Sequence, residues 1–120
     1  MRALLHDIGA PQGFGPEAPP VEGMFRNGLN YIYNSYFMHC PASACPTNGA
    51  ASVVTWATTA GATNVNNDYL GKYCVASPCK VGFTRAGLRV TLTIGRDTDY
   101  ALPTSTPPNL LYEVRVHIAR

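Results

Sequence analysis

The 120-residue chain carries nine basic and seven acidic residues, a net charge of +2, and only 13% charged residues in all. The length suits one domain with a modest core. Thr, Ser, Asn, Gly and Pro stand where Lys and Glu would cover helical surfaces, so the composition points to strands and turns. No Lys/Arg run supplies the basic face that nucleic acid requires, and no apolar run approaches the roughly 18 residues of a membrane span.

The start, Met1-Arg2-Ala3-Leu4-Leu5-His6-Asp7, has too short an apolar run for a signal peptide. It implies synthesis without a leader, or a leader already removed. Gly9 to Pro20 then holds three Gly and four Pro, a density that excludes both helix and central strand. Residues 1–23 are therefore expected as an extended arm lying on a neighbouring subunit. Phe14 would be its anchor, and Pro16, Pro19 and Pro20 would stiffen it. A passive tail is the alternative. Residues 24–120 are expected as a single β-rich domain.

Within 24–39, Phe25, Leu29, Ile32, Tyr33, Tyr36 and Phe37 fall at helical spacing and predict one short helix. Gly28 and three Asn weaken it, and the aromatics would equally suit a strand. The stripe reads as core, not as a ligand site. Residues 40–50 read as a loop, and Ser52 to Thr58 as a strand around Val53, Val54 and Trp56. Tyr69–Val75 and Lys80–Arg85 are further short strand candidates. The clearest signals come last. In Leu88–Ile94 and in Tyr112–Ile118 apolar and polar residues alternate strictly, the mark of strands with one buried and one wet face. Leu88, Val90, Leu92 and Ile94 face inward on the first, and Tyr112, Val114, Val116 and Ile118 on the second. Antiparallel pairing is expected. The connection Gly95–Asn109, with Pro103, Pro107 and Pro108, is long enough to suggest a contact with a partner. The fold class is mainly β, with α+β possible. It is a small antiparallel sheet or sandwich with one short helix and the Pro/Gly-rich N-terminal arm.

Cys40-Pro-Ala-Ser-Ala-Cys45 and Cys74-Val-Ala-Ser-Pro-Cys79 repeat one spacing. An even cysteine count in a small domain favours disulfides, first as the local pairs Cys40–Cys45 and Cys74–Cys79. Cross-links between the pairs, a four-cysteine zinc site and free thiols are the alternatives. Loops this short remove little unfolded-state entropy and would shape turns more than hold the fold.

Catalytic candidates are sparse. His6, His39 and His117 are far apart in the chain, and the alternation places His117 on the wet face of its strand. His39 beside Cys40 resembles a Cys/His pair only if the thiol is free. Asp97 and Asp99 lack the ligand number of a calcium loop and read as a solvated turn. No nucleophile elbow, metalloprotease helix or phosphate loop occurs. No enzyme, cofactor, metal or small-molecule substrate is expected. The expected function is a structural subunit of an assembly, in first place a virion protein of the capsid, decoration or tail. A subunit of a pilus or filament, or a secreted domain recognising a glycan or protein through its loops, are the alternatives. The expected partners are copies of the chain and neighbouring structural proteins, and the expected location is extracellular or in a virion.

Overall fold

A computed structural model of the chain describes residues 1–41, 49–63, 79–97 and 109–120. In chain order these form α1 (Arg2–Ile8), β1 (Gly15–Pro16), β2 (Val21–Met24), β3 (Asn30–Pro41), α2 (Gly49–Ala60), β4 (Cys79–Arg85), β5 (Leu88–Asp97) and β6 (Asn109–Ala119). The strands make one antiparallel sheet in the order β1-β3-β6-β5-β4, with β2 also paired to β3. The mainly β, antiparallel class read from the sequence is what the chain adopts. Among the described residues no helix is long and apolar enough to cross a membrane.

Strict alternation sets the two faces of the sheet. Register aligns Ile32 with Ile118 and Val90, Asn34 with Val116 and Leu92, and Tyr36 with Val114 and Ile94. These residues are buried and line the inner face. Asn34 is the polar member, and its Oδ1 accepts the Ser35 N–H at 2.9 Å. Burial pushes the Tyr36 hydroxyl pKa up, opposed in part by its hydrogen bond with Asn34. The outer face carries rows such as Tyr33, His117 and Thr91, and Ser35, Arg115 and Thr93.

The predicted strands over Leu88–Ile94, Tyr112–Ile118 and Lys80–Arg85 all form, each running a little further than the pattern implied. β4 and β5 are joined through Ala86 and Gly87, with φ of 54° and 74°. Two positive φ values in a two-residue loop make the turn whose twist matches the flanking strands, and Gly87 takes its position without strain.

Two predicted elements exchange types. The helix expected in 24–39 is instead a hairpin, whose second strand is β3. Its aromatics lie on both faces, Tyr36 inward and Tyr31 and Tyr33 outward, and apolar residues on two strand faces imitate helical spacing. The strand expected over Ser52–Thr58 is the helix α2. Its buried residues are Val53, Trp56, Ala57 and Ala60, one helical stripe at i, i+3, i+4 and i+7. Ala57 and Ala60 stand beside Val53 and Trp56 in that stripe, and packing overrides the β preference of Val and Thr. The Gly61 and Ala62 N–H groups both donate to the Ala57 carbonyl, at 3.2 and 3.0 Å, and end the helix.

The N-terminal segment also differs from expectation. Residues 1–23 pack on the chain's own sheet. Leu4, Leu5 and Ile8 of α1 belong to the core cluster, and Phe14 packs partly buried against it. Pro11 is fully buried. Pro16 pairs with Tyr36 as part of β1, and Pro16 and Pro19 are exposed while Pro20 is half-buried. The Trp56 indole N–H reaches the carbonyls of Ile8 and Gly9 at 2.9 and 3.2 Å, which ties α1 to α2. Arg2 and Glu22 form an exposed ion pair at 2.7 Å. A sheet with one apolar face needs a cover, and the apolar triplet of α1 supplies part of it. The boundary expected at residue 23 therefore divides one packed body, and Phe14 anchors to its own domain.

Val116→Asp and Val90→Asp each place an unpaired charge in the buried face and are expected to cost about 4 kcal/mol or more, against less than about 1 kcal/mol for Thr91→Asp. Deleting residues 1–20 strips α1 from the core and is expected to lower the melting temperature and cooperativity seen by circular dichroism. A truncated chain that melts like the full one would show that α1 contributes no stability.

Candidate functional site

The outer face of the sheet bears a row of rings. β-Strand geometry places Tyr31 and Tyr33 two residues apart on that face, and register sets Tyr33 directly opposite His117 of β6. The His117 ring lies 5.3 Å from Tyr31 and 6.2 Å from Tyr33, at interplanar angles of 18° and 14°. Phe25, in the turn between β2 and β3, adds a ring 4.8 Å from Tyr31 and 5.9 Å from His117. At the other end the Arg115 guanidinium sits 4.8 Å over the Tyr33 ring, while its Nε donates to Ser35 Oγ at 3.0 Å. Glu113 lies 3.7 Å from the same guanidinium.

The row depends on a glycine. Tyr31 lies across Gly23 of the neighbouring strand, so that a methyl group there would overlap the phenol. The bare backbone at Gly23 lets the ring lie flat along the hairpin, where it meets Phe25 and His117.

The ring centroids lie 4.8 to 6.2 Å apart and Arg115 sits over the Tyr33 ring, so Phe25, Tyr31, Tyr33 and His117 form one continuous aromatic ridge on the outer face.

Beside it, the hairpin leaves large apolar groups uncovered. Val21, Met24, Phe25 and Leu29 are 43, 64, 42 and 43% exposed. The turn is held by Phe25 N–H to Leu29 O at 2.8 Å, Gly28 N–H to Phe25 O at 2.9 Å, and Leu29 N–H to Asn27 Oδ1 at 3.1 Å. The tip is thus ordered by its backbone and by the Phe25 ring on Tyr31, while Met24 and Leu29 stay largely exposed.

On the opposite face of the sheet, α1, α2 and the end of β4 border an open groove of about 520 Å³. The buried Ile8, Pro11 and Trp56 lie beneath it, Thr55 and Thr59 add hydroxyls, and Asp7 and Arg85 are its charged groups. The Arg85 guanidinium is held by the Ala60 carbonyl at 2.9 Å.

The residues singled out in the sequence are dispersed. His6 lies exposed on α1 and His117 half-buried in the ridge. His39 and Asp97 belong to β3 and β5, and Asp99 lies outside the described residues, as do Cys45, Cys74 and the predicted strand Tyr69–Val75. So does most of the connection Gly95–Asn109. Cys40 is in β3 and Cys79 opens β4, with β6 and β5 between those strands. Three interstrand steps separate the two backbones by about 14 Å. Among the described residues, no group of three or more His, Cys, Asp or Glu is placed to hold a metal ion. The ridge and the groove were not anticipated from the sequence. The period-2 spacing of Tyr31 and Tyr33 was a usable signal for the first; nothing local announces the second. Comparison with known family models, curated proteins and solved structures finds no match to this chain.

The His117 pKa is lowered, first by burial and then by the Arg115 cation. Tyr31 and Tyr33 of β3, Phe25 of the hairpin and Thr91 of β5 are its neighbours among the described residues. The unfolded chain therefore binds this proton more readily than the folded one. Stability from this group is present above about pH 6.5 and is lost as pH falls through the lowered folded-state value. Melting temperature is expected to drop over that window, and His117→Phe is expected to remove this part of the pH dependence. An unchanged profile in the variant would place the titrating group elsewhere.

Proposed function

We propose that the chain is a structural subunit of a multi-subunit assembly, in first place a virion protein of the capsid, decoration or tail. The observation that carries this reading is the exposed apolar hairpin, Val21, Met24, Phe25 and Leu29, of which Phe25 joins the aromatic ridge. Several large apolar side chains exposed on one hairpin mark an interaction site, and the ordered turn lowers the conformational cost of docking it. The low charge supports the same reading, because 13% charged residues offer little repulsion between copies. The partners are other copies of the chain and neighbouring structural proteins, and the location is a virion or the cell exterior. A pilus or filament subunit would use the same surface, and the virion is preferred on composition.

Light scattering and negative-stain imaging of the purified chain test the proposal. A mass of several chains at micromolar concentration is expected. Met24→Asp together with Leu29→Asp is expected to shift the chain to monomer while leaving the circular dichroism melt within a few degrees of the original, since both side chains are exposed. A full chain that is monomeric at every concentration would overturn the assembly reading and favour a binding domain.

A further inference from the structure

We infer that the outer face of the sheet binds single-stranded nucleic acid, with the aromatic ridge taking bases and the cations of the neighbouring strands taking phosphates. This goes beyond the assembly reading and stands apart from it. The helices α1 and α2 lie on the opposite face, so among the described residues this one carries no cover. Register sets Arg89 of β5 in the row of Tyr31, and Lys80 of β4 in the row of Arg115. Between them runs the row of Tyr33 and His117, which ends at Gly82 of β4.

Charge selects the ligand. Arg89, Arg115 and Lys80 are all exposed, and the three rows that hold them and the rings contain no acid. Glu113 and Asp97 take register positions beyond Arg115, toward the far end of the face. Among the described residues Arg89 has no ion-pair partner, so its guanidinium is available to a phosphate. The cations come from three different strands, and for that reason no Lys/Arg run in the sequence displays them.

The rings select the single strand. Tyr31, Tyr33 and His117 are each half-buried, so part of every ring reaches solvent. The Arg115 guanidinium over Tyr33 extends the row with a planar cation. Unpaired bases stack on aromatic rings and on guanidinium planes, and a sheet face with two or three such rings holds two or three bases. A duplex keeps its base faces inside and leaves the rings unused. Gly82 is exposed, and a Cβ there would meet nothing closer than the Val90 carbonyl at 3.9 Å. Bare backbone beside the ring row lets a sugar–phosphate chain approach closely.

Fluorescence anisotropy of the full chain with labelled oligo(dT) and oligo(U) of about 15 nucleotides tests the inference. Both are expected to bind. With three phosphate contacts, affinity is expected to fall about 20-fold between roughly 50 and 200 mM salt. Arg89→Gln is expected to weaken binding several-fold and to lower the salt slope by about 1. Tyr33→Leu is expected to weaken it about tenfold with little change in slope. Arg2→Gln, on the helix side, is expected to bind as the original does. An abasic strand of the same length tests stacking without any substitution, should Tyr33→Leu melt early, and is expected to bind about tenfold more weakly. Failure to bind either oligonucleotide at the lower salt would overturn the inference. So would an abasic strand that binds as tightly as oligo(dT), or affinity that Arg89→Gln leaves unchanged.

Discussion

Strand β6 is the constraint on which the rest of the molecule depends. It pairs along its length with β3 on one side and β5 on the other, and it carries Val114, Val116 and Ile118, all fully buried. Each inward residue of β6 lies in a row with one from β3 and one from β5, so the strand closes both the hydrogen-bond ladder and the core. Its alternation decides which face of every neighbour turns inward, because a slip of one residue would reverse all of them. Two short helices then cover one face, linked through the Trp56 indole. The other face is left to Tyr31, Tyr33, His117 and Arg115, which cover one another.

The late strands were legible because their signal is local. Leu88–Ile94 and Tyr112–Ile118 alternate without interruption, and each presents one face to the core. The exchange of types between β3 and α2 has a single physical source. A strand in a sheet with rings on both faces loses the polar half of its alternation, and Tyr31 to Phe37 then reads as a helical stripe. Helix α2 packs through Val53, Trp56, Ala57 and Ala60, and Ser52 to Thr58, with few long side chains, reads as a strand. In both cases tertiary packing outweighs propensity. The N-terminal segment was misread for a related reason. Its Pro and Gly residues correctly forbid regular structure over much of Gly9 to Pro20, but Leu4, Leu5, Ile8, Pro11 and Phe14 are apolar enough to be drawn onto the nearest uncovered sheet. Of the candidate site, His117 was rightly placed on the outer face. Its burial among rings depends on the hairpin folding back over Gly23, which no spacing in the sequence displays.

The functional account follows from this asymmetry. A domain of 120 residues has limited apolar surface to hide, yet this one leaves a rigid apolar hairpin in water. A groove between α1, α2 and the end of β4 lies on the opposite face, lined by both Asp7 and Arg85. An exposed apolar hairpin costs stability in an isolated chain, and the proposed role in assembly would offset that cost where chains meet.

Hydrogen–deuterium exchange with peptide mass spectrometry, compared between dilute and concentrated chain, tests the central claim that assembly covers the exposed hairpin. The account predicts slower exchange at high concentration in peptides spanning residues 21–30, with β5 unchanged. Exchange that is identical at all concentrations, or that slows only in the β4–β5 hairpin, would contradict it.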